Sequence, residues 1–574
     1  MDYSRLDRVR KSATPLELDL VESYARGRIT RRQFIKRAMV IGLSVPTVSA
    51  VIAACGPGAA SPAATAGGSA STAPAASGSA EASASSAASG GSIKVALQRP
   101  AAALDPIAMQ DLGAYGMLAT SFEFLATLEP SGLDIAPGLA ESWTPNADGS
   151  VWTFKLRPNV KWQKDGKPFT ADDVVATMGR LVEAGNSGLK GVIDEKSTKA
   201  VDPTTVEFSL LGPNGNFPYL VSVFNAQTVI TPVDYASGTT LDQMPDGTGA
   251  WKLDSYDQAT GAKFSRNPDW WGGKTPLDSI EYVWFDATGP MVTAYQGGQV
   301  DAIVQFDILS GEPLLTDANT DVIATRAATH RQIWMRTDTG QFKDKRVRQA
   351  LALTFDREAM IQQLFKGKAD LGNDHVIAPI YAYFDPSVPQ RTRDIEKAKA
   401  LLAEAGTPNV KAVLHAGQVL EIADLAVLIQ SNAKEAGFDL EVAVESLDTF
   451  YGAQWCPAEP KDPPCSGAAE LGIVDYGHRA TPDVYLNSAL KTKGVWNSSQ
   501  YSSPAFDAAF TEFQAAVGVE QQRAACTKIE TVLLEDTPIG VPYFYNYFSG
   551  SSKKYKGLYS SALGQMFFSA ASQV

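Results

Sequence analysis

Cysteine and histidine are scarce in this chain, with four of each among 574 residues. None of His330, His375, His415 and His478 stands at metal-ligand spacing from another or from a cysteine. A zinc or nickel centre built from side chains alone is therefore disfavoured. Also missing are a nucleophile elbow, a zinc-protease motif and a phosphate loop, so the common signatures of hydrolases and nucleotide-binding enzymes are absent and no cofactor is implied. Basic residues are the minority: 50 Lys and Arg face 63 Asp and Glu, a formal charge of −13. The first 40 residues hold ten basic and five acidic side chains, which leaves −18 on the remainder. Such an acidic body argues against nucleic acid as a partner.

Long apolar runs are lacking too. Residues 38–54 form an uncharged stretch of 17 residues interrupted by Gly42 and Pro46, short and broken for a membrane span. What precedes it is basic: Thr30-Arg31-Arg32-Gln33-Phe34-Ile35-Lys36 looks like a twin-arginine export motif. Ile52-Ala53-Ala54-Cys55 resembles a lipobox, which makes residues 1–54 a signal peptide and Cys55 a lipidated mature N-terminus that tethers the protein to a membrane. From residue 56 to 92 the chain uses only Gly, Ala, Ser, Thr and Pro plus Glu81. Such a segment buries too little to fold and acts as a leash spanning roughly 30–36 Å.

The body beyond residue 93 reads as α/β. Trp152, Phe154 and Leu156 alternate with Val151, Thr153 and Lys155 after an Asp148-Gly149 turn, the period of a half-buried strand. Asp344, Asp356 and Asp394 are placed to cap three helices, with Val347, Ala350 and Leu351 on one stripe and Ala398, Leu401, Leu402 and Ala405 on another. Residues 410–414, 422–436 and 438–444 read as strand, helix and strand. A βαβ unit of this kind demands a parallel sheet flanked by helices.

Three blocks then resemble the family 5 extracellular solute-binding proteins. The first is Ala136-Pro137-Gly138-Leu139-Ala140-Glu141-Ser142-Trp143 with Asp148-Gly149, Leu156-Arg157 and Phe169-Thr170-Ala171-Asp172-Asp173-Val174. Gly247-Thr248-Gly249-Ala250-Trp251 with Arg266-Asn267-Pro268-Asp269-Trp270-Trp271-Gly272-Gly273 is the second, and Arg346-Val347-Arg348-Gln349-Ala350-Leu351 with Asp356-Arg357 the third. Most of these residues suit turns, helix caps and core. The resemblance implies a type II periplasmic-binding-protein architecture: a first lobe with an extra subdomain over residues 93–332, a second α/β lobe over 333–544, and a return to the first lobe over 545–574. It further implies crossings near 332–338 and 541–548, a ligand cleft between the lobes, and work with ABC permease and ATPase subunits.

Site candidates follow from that implied cleft. His478 aligns where several relatives place an acid for a peptide's amino terminus, within a loop that also holds Asp475, Tyr476 and Arg479. Arg336 either clamps a carboxylate or phosphate or makes a structural ion pair. Trp334, Trp496 and Tyr545 form a stacking wall or pack in the core. Asn373, Asp374 and His375 line the rim or make a polar turn. Cys456 and Cys465 read as a small-loop disulfide with Cys526 left free and buried, a zinc pair being the rival. The reading is an extracytoplasmic binding lipoprotein for a peptide or other small polar solute. Its rivals are a secreted hydrolase using His478 with Asp475, and a sensory or chaperone-like receptor on the same fold.

Overall fold

The computed structural model describes residues 90–574 except 102, 110, 131–133, 187 and 458–461. The signal segment, the twin-arginine motif, Cys55 and the leash up to residue 89 lie outside the described residues. Everything described here falls in one unit, Ser85–Val574.

Two sheets organise it. The first runs in the order Thr320–Thr325, Tyr547–Ser552, Ala302–Phe306, Ser92–Gln98, Ser279–Phe285, Gly261–Arg266 and Trp251–Asp257. Ser92–Gln98 lies parallel to both its neighbours, while Tyr547–Ser552 enters antiparallel from the far end of the chain. Between Ser92–Gln98 and Trp251–Asp257 an antiparallel sheet of four strands is inserted, led by Ala140–Pro145 and Val151–Leu156 and covered by the helix Ala171–Glu183. The alternation at Trp152, Phe154 and Leu156 buries all three. Phe154 meets Phe208 at 5.2 Å, and Phe208 meets Phe217 at 4.9 Å, so this subdomain carries an aromatic core. Its first hairpin turns at Gly149, whose φ of 70° suits glycine.

The second sheet is ordered Ala369–Leu371, Tyr543–Tyr545, His330–Met335, Leu471–Tyr476, Val410–Gly417 and Phe438–Glu445, with Ile539–Gly540 also on His330–Met335. Val410–Gly417, the helix Ile422–Lys434 and Phe438–Glu445 form the expected parallel βαβ unit. Asp344, Asp356 and Asp394 accept from the amides of Arg346, Ala359 and Lys397 at 2.9, 3.1 and 2.9 Å, which starts each helix where the sequence says. His330–Met335 is buried along its whole length because strands flank it on both sides.

The sheets fix where the chain passes between lobes. Thr320–Thr325 belongs to the first sheet and His330–Met335 to the second, so the outward crossing is residues 326–329, earlier than the 332–338 expected. Strand-like composition is the same on both sides of that boundary, and only the pairing partners distinguish them. The return falls at Asn546, between Tyr543–Tyr545 and Tyr547–Ser552, inside the expected stretch. Cys456 and Cys465 are joined by a disulfide, and Cys526 is free and buried. Among the described residues no helix is long and apolar enough to cross a membrane.

Candidate ligand-binding cleft

A cavity of about 580 Å³ opens where the lobes meet, a volume usual for small-molecule sites. The first lobe contributes Gln98, Asp286, Met291 and Phe306 to its wall. From the second come Phe365, Glu421, Asp475 and Gly477, and the return crossing adds Tyr545, Tyr547 and Phe548.

Its floor is built around Arg331. This side chain is 0% exposed, and a buried guanidinium requires partners. Nε and Nη2 donate to the two carboxylate oxygens of Glu421 at 2.8 and 2.9 Å, a bidentate pair. Nη1 donates to Asp475 Oδ1 and, at 3.0 Å, to the Tyr545 hydroxyl. Tyr543 completes the set by donating to Glu421 Oε1 at 2.9 Å. Burial opposes the charge on Arg331, yet Tyr545, Glu421 and Asp475 more than compensate and raise its pKa well above the usual arginine value. Above this floor Phe365 and Tyr545 stack with centroids 5.5 Å apart and planes 10° off parallel. Asp475 differs from Glu421 in one respect: its side chain remains 29% exposed, and Oδ2 has no hydrogen-bond partner among the described residues.

The sequence model of the bacterial extracellular solute-binding proteins, family 5 Middle, matches residues 134–457, more than half of the chain. This chain belongs to that family. Family 5 proteins are the extracytoplasmic substrate-binding components of ABC importers, not enzymes. Among its relatives, Heme-binding protein A of Haemophilus influenzae is 26% identical over 476 residues, 77% of this chain and 84% of that protein. The periplasmic murein peptide-binding protein MppA of Escherichia coli is 26% identical over 481 residues, 77% of this chain and 86% of that protein. Solved structures agree on the two-lobed fold. HbpA2 from Haemophilus parasuis superposes with a TM-score of 0.73 at 22% identity, covering 84% of this chain and 100% of that one. The unliganded open form of MppA gives 0.70 at 23% identity, covering 83% and 97%.

Of the family 5 site candidates, the structure brings Asp475 and Tyr545 together in the cavity and places the rest elsewhere. Arg336 donates to both oxygens of Asp338 at 2.8 and 2.9 Å and to the carbonyls of Ser466 and Ala468. That corrects its reading as a ligand clamp, because its donors are already engaged. Trp334 is core, lying against Gly472, where a Cβ would come within 2.2 Å of the indole. Tyr476 and Trp496 pack on each other at 6.1 Å beside Trp455, away from the cavity wall. Asp374 is sealed between Arg357 and Arg391 at 2.7 Å each and accepts from the Val541 amide at 3.0 Å. Its neighbour His375 is buried against Phe384.

His478 is not a cation. The Ala328 amide donates to its Nδ1 at 3.0 Å, and burial, with Arg479 adding, lowers its pKa to about 3. Asp475 pairs with Arg331 and not with His478, which removes the basis for a hydrolytic pair. Arg479 lines a separate cavity of about 120 Å³ beside Tyr115 and Tyr219, and its Nη1 donates to the His478 carbonyl at 2.9 Å. It has no carboxylate partner among the described residues. Sequence reasoning missed Arg331 and Glu421. The available signal was an arginine inside the apolar strand His330–Met335, a charge that burial forces into an ion pair.

Proposed function

We propose that the protein is the membrane-tethered receptor of an ABC importer, which captures a small organic solute, peptide-like or otherwise polar, in the cavity between its lobes. The observation that carries this is the cavity itself, walled by both lobes and by the residues Tyr545 to Phe548 where the chain returns between them. Two crossings side by side act as a hinge, and closure around the solute presents one defined surface to the permease and its ATPase. Asp475, Tyr545, Glu421 and Phe365 contact or frame the solute, and Arg331 holds the two acids in place. Tethering rests on Cys55 at the end of the lipobox. Cys55→Ala should release the protein from the membrane fraction. Cells lacking the protein should lose uptake of whatever solute native mass spectrometry finds bound to it; unchanged uptake with intact binding assigns the protein to sensing instead.

A further inference from the structure

The receptor reading leaves the chemistry of the solute open, and the charge of the cavity narrows it. Four carboxylates line the wall, those of Asp286, Asp307, Glu421 and Asp475, and no Lys, Arg or His does among the described residues. Two of the four are answered: Asp286 by Arg99 at 2.6 Å and Glu421 by the bidentate Arg331. The Asp307 carboxylate accepts from the Ser310 amide at 2.8 Å and has no cation beside it among the described residues. Asp475 shares one oxygen with an arginine already bound to Glu421, and its Oδ2 has no partner among the described residues. Arg331 is wholly buried and cannot reach a solute.

Four acids against two arginines leave the cavity negative, and most of the remaining wall is apolar or aromatic. A carboxylate entering it would lose water, find no cation and face Asp475, the like-charge arrangement that specific sites use to reject a partner. A cation finds the reverse. Resting on the receptor reading, we propose that the solute is an organic cation with an apolar body and no carboxylate: an amine, a guanidine or a peptide with a blocked C-terminus. Its charged group sits on Asp475 Oδ2, and its body lies along the stacked Phe365 and Tyr545. The rival is a zwitterion that reaches past the cavity to Arg479.

Three probes with one body separate these: leucyl-leucinamide, a cation; leucyl-leucine, a zwitterion; and N-acetyl-leucyl-leucine, an anion. In calorimetric titration of the full chain the amide should bind at least tenfold more tightly than the zwitterion, and the anion should not bind. Asp475→Asn should weaken the amide at least tenfold while the protein still unfolds cooperatively. Equal or tighter binding of the zwitterion, lost again in Arg479→Ala, overturns the proposal, as does failure of every carboxylate-free amine and guanidine from butylamine to the dipeptide amide. A carboxylate-bearing solute found on the protein purified from its own cells also overturns it and leaves the receptor standing. A protein with neither a bound solute nor an uptake defect overturns the receptor itself.

Discussion

Two charge clusters in the second lobe are mirror images. Around Asp374 one carboxylate sits between two arginines, whereas around Arg331 one arginine sits between two carboxylates. In the first, the surplus positive charge is absorbed by the protein: Arg391 Nη2 donates to the Leu534 carbonyl at 2.5 Å and Arg357 Nη1 to the Arg391 carbonyl at 3.1 Å. In the second, the surplus negative charge is left on Asp475 and faces the cavity. The same residue types thus make a sealed brace in one place and a receptive surface in the other, and the difference lies in where the unbalanced group points.

Substitution tests that contrast directly. Asp374→Ala strands two buried guanidinium groups and should cost about 3–5 kcal/mol, read from urea unfolding. Next in size is a pH effect that both clusters share through a neighbouring histidine. Burial lowers the pKa of His375, beside Asp374, and of His330, beside Arg331, to about 4 each. An unfolded histidine binds its proton near pH 6.5, so the unfolded state takes up protons first as pH falls. Stability should be fully present above pH 6.5 and decline toward pH 4, by up to about 3 kcal/mol for each ring. Replacing either histidine by Gln should flatten that acid limb in thermal melts; an unchanged limb would show that neither ring is held neutral. Asp475→Asn should have the smallest effect on folding, about 1 kcal/mol or less, because its side chain is partly exposed and Glu421 still answers Arg331. A loss as large as that of Asp374→Ala would erase the distinction between brace and receptive surface.

The contrast also marks what the sequence could reveal. Helix starts at Asp344, Asp356 and Asp394 and the βαβ unit are local, each written within a few neighbouring residues, and they appear where expected. Asp374 and Asp475 both stood out as acids in polar stretches, but nothing local separates one that meets Arg357 and Arg391 from one that opens on a cavity. That depends on partners such as Arg331 and Glu421, 90 residues apart. His478 misled for the same reason: burial keeps it neutral, and the amide it accepts from, that of Ala328, lies 150 residues away.

The strand Tyr547–Ser552 has a consequence for how the molecule is made. It is the only link between Ala302–Phe306 and Thr320–Thr325 within the described sheet, so the first lobe is assembled from both ends of the chain. During synthesis the second lobe can close while its predecessor still presents two bare strand edges, the kind of surface that recruits foreign strands. A product truncated before residue 547 would keep those edges for good. Synthesis of residues 547–552, and not the appearance of the first lobe's core, is therefore the step that closes this sheet.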